Sequence, residues 1–115
     1  MKLSNPIIYD ASDESLGMVY RVLHFYYMVI FEGGNRNSYY CGITDDVERR
    51  KGEHERDDHQ GKAITQMIAC KCSSKEASEK IEMMMHEDGF DIGNTQTLGN
   101  GANECSVYVY LYKKP

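Results

Sequence analysis

The sequence predicts a small single α/β (α+β) domain, with a central three-stranded, largely antiparallel sheet flanked by helices and one extra C-terminal strand. Segments rich in Val, Ile, Tyr and Phe alternate with two charged segments that start with typical helix caps. A turn rich in Gly and Asn separates the first two apolar segments, as in a β-hairpin. The length of 115 residues fits one domain with one modest core, so residues 1–115 are treated as a single unit.

The first elements are predicted to be an N-terminal lead and a hairpin. Residues 1–17 are polar and turn-prone, and they form either a cover for the core or an edge element. Residues 18–31 are dense in β-branched and aromatic side chains, which predicts a central strand. The glycines and asparagines in 32–38 favour the positive backbone dihedrals of a tight turn. Residues 39–43 are therefore expected to pair antiparallel with the strand before them.

A polar helix and a third strand are predicted next. Thr44 provides a hydroxyl cap, and two aspartates follow it in the first turn, where the helix dipole favours acidic side chains. The helix that follows has Val47 as its only large aliphatic residue, so it should present polar groups outward. Residues 63–72 alternate roughly by twos, which predicts the third strand.

The last two predicted elements are an amphipathic helix and a tyrosine-rich strand. Ser73 or Ser74 caps the helix and Gly89 ends it. A loop rich in Gly and Asn follows. Residues 105–112 then alternate strictly and place three tyrosines on one face of an added strand. Those tyrosines suit sheet packing, a partner surface at a sheet edge, or stacking on single-stranded nucleic acid.

Charge and targeting signals restrict the class of protein. The net charge of −5 argues against a polyanion binder that works by charge alone. The segment 49–62 has five basic and four acidic residues and is the net-positive part of the chain. The start of the chain has no continuous apolar segment, so neither a signal peptide nor a membrane span is expected. These observations favour a cytoplasmic protein that does not bind membranes.

The four cysteines are expected to be reduced thiols, because no secretion signal accompanies them. A zinc site is the alternative, because Cys70 and Cys72 lie close together in the sequence. Structural zinc sites usually pair their ligands at CxxC-type spacing, and Cys41 and Cys105 each stand alone. Buried free thiols are therefore favoured over a zinc site.

A specific string, YYCGITDDVERR at 39–50, leads from the second predicted strand into the polar helix. It resembles the GIY-YIG nuclease family, and the resemblance covers about residues 25–92. Tyr40 falls in the "YIG" half of the motif, and Tyr27 falls at the tyrosine of the "GIY" half. Arg50 lies eight residues after the motif glycine, where the family has a phosphate-contacting arginine. His54 follows one helical turn later, at a position that the family often fills with His or Tyr.

The resemblance implies roles for these residues in phosphodiester hydrolysis. In the family's mechanism a tyrosine deprotonates the attacking water, which assigns that role to Tyr27, with Tyr40 packing or hydrogen-bonding beside it. Arg50 would clamp the scissile phosphate, because a guanidinium matches two phosphate oxygens. His54 lies four residues after Arg50 on the same helix face, and it would hydrogen-bond the phosphate or orient the water.

The family's metal-binding glutamate maps to the second helix. Glu82 is the best match, and Glu76 and Glu79 are the alternatives. The ion would be Mg²⁺ (or Mn²⁺). The leading hypothesis is thus a metal-dependent DNA endonuclease or nickase, such as a phage or mobile-element effector, of a size compatible with action as a homodimer. The alternative is a catalytically inactive binding module on the same fold that holds a protein or small ligand, which the acidic balance favours.

Overall fold

The computed structural model describes residues 6–93 and 104–115. In chain order, these residues form β1 (Ile7–Asp10), α1 (Leu16–Phe25), β2 (Tyr39–Thr44), α2 (Val47–Glu53), β3 (Met67–Lys71), α3 (Lys75–Glu87) and β4 (Tyr108–Lys113). A π-helical segment continues α1 over Tyr26–Ile30, and another continues α2 over His54–Asp58. A short 3-10 turn, Arg36–Ser38, leads into β2.

The described strands form one mixed sheet in the order β1-β3-β4-β2. β1 runs parallel to β3, and β4 is antiparallel to both β3 and β2. The α+β class with helices against the sheet is confirmed. The sheet has four strands in all, but β1 is one of them in place of the strand predicted over residues 18–31. β4 is not an added edge strand, because it lies between β3 and β2 and joins the two halves of the sheet.

The prediction of a strand over residues 18–31 is wrong. The segment is α1 and its π-helical continuation, and it begins at Ser15, whose hydroxyl accepts a hydrogen bond from the Met18 amide at 3.2 Å. Strand propensity is a weak preference that tertiary packing overrides. Packing favours the helix here because the buried side chains recur every four residues and so line one face of it: Val19, Leu23, Tyr27 and Phe31.

The predicted hairpin is therefore absent from the described part of the chain, and β2 takes β4 as its antiparallel partner. Within the lead at 1–17, residues 7–10 form the edge strand β1, which matches the edge alternative. The first five residues of the lead lie outside the described residues. So does most of the predicted loop before β4, at residues 94–103.

The elements from β2 to α3 follow the sequence prediction in type and order. β2 extends one residue beyond its predicted range of 39–43, and β3 lies within the predicted range of 63–72 but begins four residues later, at Met67. The cap of α2 is Asp46, whose carboxylate accepts from the Arg49 amide at 3.0 Å, and not the predicted Thr44. Ser74 caps α3, as expected. Gly89 follows that helix with a φ of +101°, a backbone conformation that favours glycine.

The sheet has two chemically different faces. One face packs against α1 and α3 and forms the larger core, with Tyr39, Leu111 and Ile68 fully buried in it. The other face packs against the segment around α2 and is lined by tyrosines of β2 and β4. We call this second side the tyrosine face; its members include Tyr40, Tyr108, Tyr110 and Tyr112 together with Val47, Ile64, Met67 and Ala69.

Three of the four cysteines, Cys41, Cys70 and Cys72, are buried, whereas Cys105 is exposed. Across residues 6–93 and 104–115, no three His, Cys, Asp or Glu side chains are grouped closely enough to hold a metal ion. None of the helices in these same ranges is both long and apolar enough to cross a bilayer.

Candidate active site

The tyrosine face places Tyr110 directly across Gly42. The antiparallel register of β2 and β4 pairs these two residues, and the Tyr110 side chain folds over the glycine. A Cβ atom built on Gly42 would lie 2.6 Å from the Tyr110 hydroxyl oxygen and 3.1 Å from Cε1 of Tyr40. The glycine of the YCG string is therefore required by sterics, because any side chain there would displace the two tyrosines.

Three tyrosine rings of this face lie nearly parallel. The Tyr40 ring centroid is 6.2 Å from that of Tyr110 and 5.6 Å from that of Tyr112. The Tyr110 and Tyr112 rings are inclined by only 11°. Tyr110 and Tyr112 are each about 1% exposed, whereas Tyr40 is partly exposed. Tyr40 is therefore the phenol of this cluster that reaches solvent.

Arg50 reaches this cluster from α2. Its guanidinium group interacts electrostatically with Tyr110 and Tyr40, and Nη1 donates to Oε1 of Glu53 at 3.0 Å. The side chain is 37% exposed, so Arg50 is only partly buried by its partners. Burial opposes the charged guanidinium, but Tyr110 and Glu53 outweigh it and raise the pKa of Arg50 above its ordinary value. The site thus holds a permanent, partly exposed cation.

His54 lies one turn after Arg50, as the sequence predicted, but it is buried rather than solvent-facing. It is 1% exposed, and its Nε2 lies 2.6 Å from the Tyr110 hydroxyl oxygen. On the other side of the ring, Nδ1 lies 2.6 Å from Oδ2 of Asp58. The His54 ring also packs 4.7 Å from the Tyr40 ring, centroid to centroid. His54 therefore connects Tyr110 to a carboxylate.

Burial dominates the acidity of these groups. It raises the pKa of Tyr110 well above its ordinary value, and the nearby Arg50 cation opposes that rise. Burial also raises the pKa of Tyr40, and Arg50 again acts in the opposite direction. For His54, burial lowers the pKa in spite of the hydrogen bond that its ring donates to Asp58. Both phenols and the imidazole are therefore neutral at pH 7 in the free protein.

Glu82 is the buried member of the three candidate glutamates on α3. It is 5% exposed, and its Oε1 is buried without a hydrogen-bond partner. Burial, with a contribution from Glu79, raises the pKa of Glu82 to about 7. Its charge also raises the pKa of Tyr40, which indicates that the two side chains interact electrostatically. Glu76 is exposed, and Glu79 is half-buried near the amino group of Lys75.

Tyr27 lies elsewhere. It sits in the larger core on the opposite face of the sheet, 5% exposed, with its ring 5.0 Å from the rings of both Tyr39 and Phe90. Its hydroxyl donates to the Gly34 carbonyl, and the Arg36 guanidinium lies 5.5 Å from its ring centroid. The structure thus brings Tyr40, Arg50 and His54 together. Glu82 interacts electrostatically with Tyr40, and Tyr27 lies apart from the cluster.

Two residues of the cluster, Tyr110 and Asp58, were not selected as site residues from the sequence. The alternation of tyrosines in 105–112 was a usable signal, because it predicted that they share one face. It was not connected to the site because the pairing of β2 with β4 joins residues about seventy positions apart. Asp58 lies four residues after His54, a spacing that places both side chains on one helix face, and both belong to the π-helical continuation of α2.

No protein-family model, curated protein or solved structure matches this chain. What the cluster can do chemically therefore follows from its own groups. A phenol whose proton can pass to an imidazole is a potential general base, and a partly exposed guanidinium is an anion clamp. A buried carboxylate with an unpartnered oxygen is a potential cation ligand.

Proposed function

We propose that this chain is a metal-dependent DNA endonuclease or nickase of the GIY-YIG type, acting through Tyr110, Tyr40, Arg50 and His54. The observation that carries the proposal is the hydrogen bond of Tyr110 to His54 above Gly42, together with the electrostatic interaction of Tyr110 with Arg50. Phosphodiester hydrolysis requires a base for water and a cation for the charge that builds on the phosphate. The cluster contains both, since Tyr110 hydrogen-bonds to His54 and interacts electrostatically with Arg50.

The order of the elements supports the same proposal when β4 is placed first. The order that the resemblance implies is a strand, an antiparallel strand, a polar helix, a strand and a helix. The series β4, β2, α2, β3, α3 has that order, and β4 is antiparallel to β2. We infer that the chain is a circular permutation of that arrangement. Tyr110 then takes the place for which Tyr27 was selected from the sequence.

In the proposed reaction, Tyr110 passes its proton to Nε2 of His54, and the phenolate takes a proton from the attacking water. A phenol has an ordinary pKa of about 10, and each further unit of pKa costs about 1.4 kcal/mol at neutral pH. The Arg50 cation reduces that cost by its interaction with the Tyr110 oxygen. Arg50, whose side chain is partly exposed, also clamps the scissile phosphate.

The metal role fits Glu82 because its buried Oε1 has no partner among the described protein groups. Mg²⁺ (or Mn²⁺) is usually held by one or two carboxylates and takes its other ligands from water and phosphate oxygens. Such an ion supplies charge neutralisation at the phosphate when bound. Glu76 and Glu79 are less suited, since one is exposed and the other already faces Lys75.

The test is nicking of supercoiled plasmid in Mg²⁺ by three proteins: the wild type, Tyr110→Phe and Tyr27→Phe. We expect the wild type to nick the plasmid in Mg²⁺ and not in excess chelator. Tyr110→Phe should lose the activity, whereas Tyr27→Phe should keep it if it remains folded by circular dichroism. Loss in folded Tyr27→Phe with retention in Tyr110→Phe would contradict the proposal.

One observation favours a binding module without catalysis as the second candidate. Tyr110 and His54 are each about 1% exposed, and Arg50 is already paired with Glu53, so the proposed base and its proton acceptor are shielded from solvent in the free protein. A wild type that nicks no DNA over a range of pH and divalent ions would make this the better reading. For either function we propose a cytoplasmic location, since the buried cysteines are compatible with a reducing compartment.

A further inference from the structure

Two hydrogen bonds connect an exposed carboxylate to the buried phenol of Tyr110. Oδ2 of Asp58 lies 2.6 Å from Nδ1 of His54, and Nε2 of the same ring lies 2.6 Å from the Tyr110 hydroxyl oxygen. The side chain of Asp58 is 54% exposed and that of His54 is 1% exposed. The two hydrogen bonds therefore link a solvent-exposed carboxylate to Tyr110, the proposed general base.

The direction of these hydrogen bonds follows from the groups that form them. A neutral imidazole has one N–H donor and one nitrogen acceptor, while a carboxylate can only accept. Nδ1 must therefore bear the proton and donate it to Asp58. Nε2 is then left as the acceptor, and the hydroxyl of Tyr110 must be the donor.

We propose that Asp58 is a positioning residue that holds His54 in the Nδ1–H tautomer, the form that can take a proton from Tyr110. The catalytic consequence rests on the proposed function, whereas the tautomer is a property of the folded protein by itself. Without Asp58, an Nε2–H tautomer would donate to the phenol oxygen. The Tyr110 proton would then have no acceptor at His54, as in hydrolytic triads whose histidine adopts the wrong tautomer.

Asp57 offers a matched control for Asp58. It is the neighbouring residue, is 59% exposed and forms its ion pair with Arg56 at 2.8 Å. Asp57→Ala and Asp58→Ala therefore remove the same charge from almost the same place. Of the two aspartates, Asp58 makes the hydrogen bond to His54. Because both side chains are largely exposed, both variants should fold as the wild type does.

The first test is the tautomer of His54, measured by long-range ¹H–¹⁵N correlation of the imidazole ring at neutral pH in the metal-free protein. The resonances are assigned with His54→Gln. We expect a protonated Nδ1 and an unprotonated Nε2 in the wild type and in Asp57→Ala. In Asp58→Ala we expect a substantial population with the proton on Nε2. A wild type with its proton on Nε2, or an unchanged spectrum in Asp58→Ala, would overturn the proposal.

The second test is kinetic and applies if the wild type nicks DNA. Asp58→Ala should lower kcat by about 10- to 100-fold, as loss of an orienting partner does elsewhere, with KM nearly unchanged. Asp57→Ala should retain the wild-type kcat. Equal losses in both variants would indicate a general charge effect and would contradict the positioning role. If the wild type does not nick DNA, the proposed function fails while the tautomer experiment still decides the role of Asp58.

Discussion

The hydroxyl of Tyr110 occupies the space that a side chain at Gly42 would need, since a Cβ there would lie 2.6 Å from the phenol oxygen. The two residues are paired across β2 and β4. The hydroxyl is also held by His54, so the ring cannot swing away without breaking that contact. One glycine thus determines how closely the phenol approaches the strand and where it meets Arg50.

Gly42→Ala should therefore lower the free energy of unfolding by about 1–3 kcal/mol, the usual cost of overpacking a core. Urea denaturation measures this directly. Gly52→Ala is the control, because a Cβ at that position meets nothing within 4 Å. Gly52 lies within α2, so alanine should stabilise the protein by roughly 0.5–1 kcal/mol. Equal effects of the two substitutions would contradict the close contact at Gly42.

Arg50→Ala should lower the plasmid nicking rate by about 10²–10³-fold, the usual effect of removing one charge-stabilising donor from a transition state. Arg49→Ala is the matched control. Arg49 is 52% exposed and pairs with Asp45 at 2.8 Å, away from the tyrosines. It should retain activity within a few fold, and the comparison is made at equal protein concentration. A fully active, folded Arg50→Ala protein would be incompatible with the phosphate clamp.

Glu53→Gln should tighten DNA binding. The Glu53 carboxylate accepts from Arg50 at 3.0 Å, so an incoming phosphate must share or displace it. Exposed ion pairs contribute about 0–1 kcal/mol, so the variant should unfold close to the wild-type midpoint. Fluorescence anisotropy with a labelled oligonucleotide in Ca²⁺ measures the affinity. Weaker binding by Glu53→Gln would show that the glutamate helps to orient Arg50 and does not compete with phosphate.

The stability of the protein should depend on pH through Glu82. Its pKa is raised to about 7 in the folded state from an ordinary 4.5, so the folded state binds the proton more tightly than the unfolded state. The stabilisation is present below pH 4.5 and is lost as pH rises to about 7, by up to about 3 kcal/mol. Glu82→Gln should remove this slope and exceed the wild type in stability at pH 8.

Urea denaturation at pH 5 and pH 8 measures that difference, with the exposed Glu76→Gln as the control that keeps the wild-type slope. The same proteins test the metal role. Mg²⁺ should raise the melting temperature of the wild type at pH 8 and leave that of Glu82→Gln unchanged. A Mg²⁺ response lost in Glu79→Gln instead would identify Glu79, one helical turn earlier, as the ligand. A response that survives in all three variants would show that none of these glutamates holds the ion.

The secondary-structure elements from β2 to α3 were predictable because short-range sequence signals determine them. Asp46 and Ser74 are polar caps at the starts of α2 and α3, and the alternation in β3 reflects its position in the sheet. These local patterns also placed Arg50 and His54 on one helix face. The partners of a strand are not local, and the site depends on which strand pairs with β2.

In the segment 18–31, the amino-acid composition and the spacing of the apolar residues predict different secondary structures. Its Val, Ile, Tyr and Phe content favours a strand, while the spacing of Val19, Leu23 and Tyr27 suits one face of a helix. Burial against α3 and the cap at Ser15 decide in favour of the helix. Tyr27 consequently lies in the larger core, and its place beside Tyr40 is taken by Tyr110.

The central position of β4 has a consequence for how the chain folds during synthesis. β4 follows every other described element in the sequence, yet it supplies the hydrogen-bonded neighbour of both β2 and β3. Until the ribosome has released residues 108–113, β1 and β3 can pair only with each other, and β2 has no antiparallel partner. The complete sheet and the Tyr110 cluster can therefore assemble only after β4 has emerged, because β4 contributes long-range pairing to both halves of the sheet.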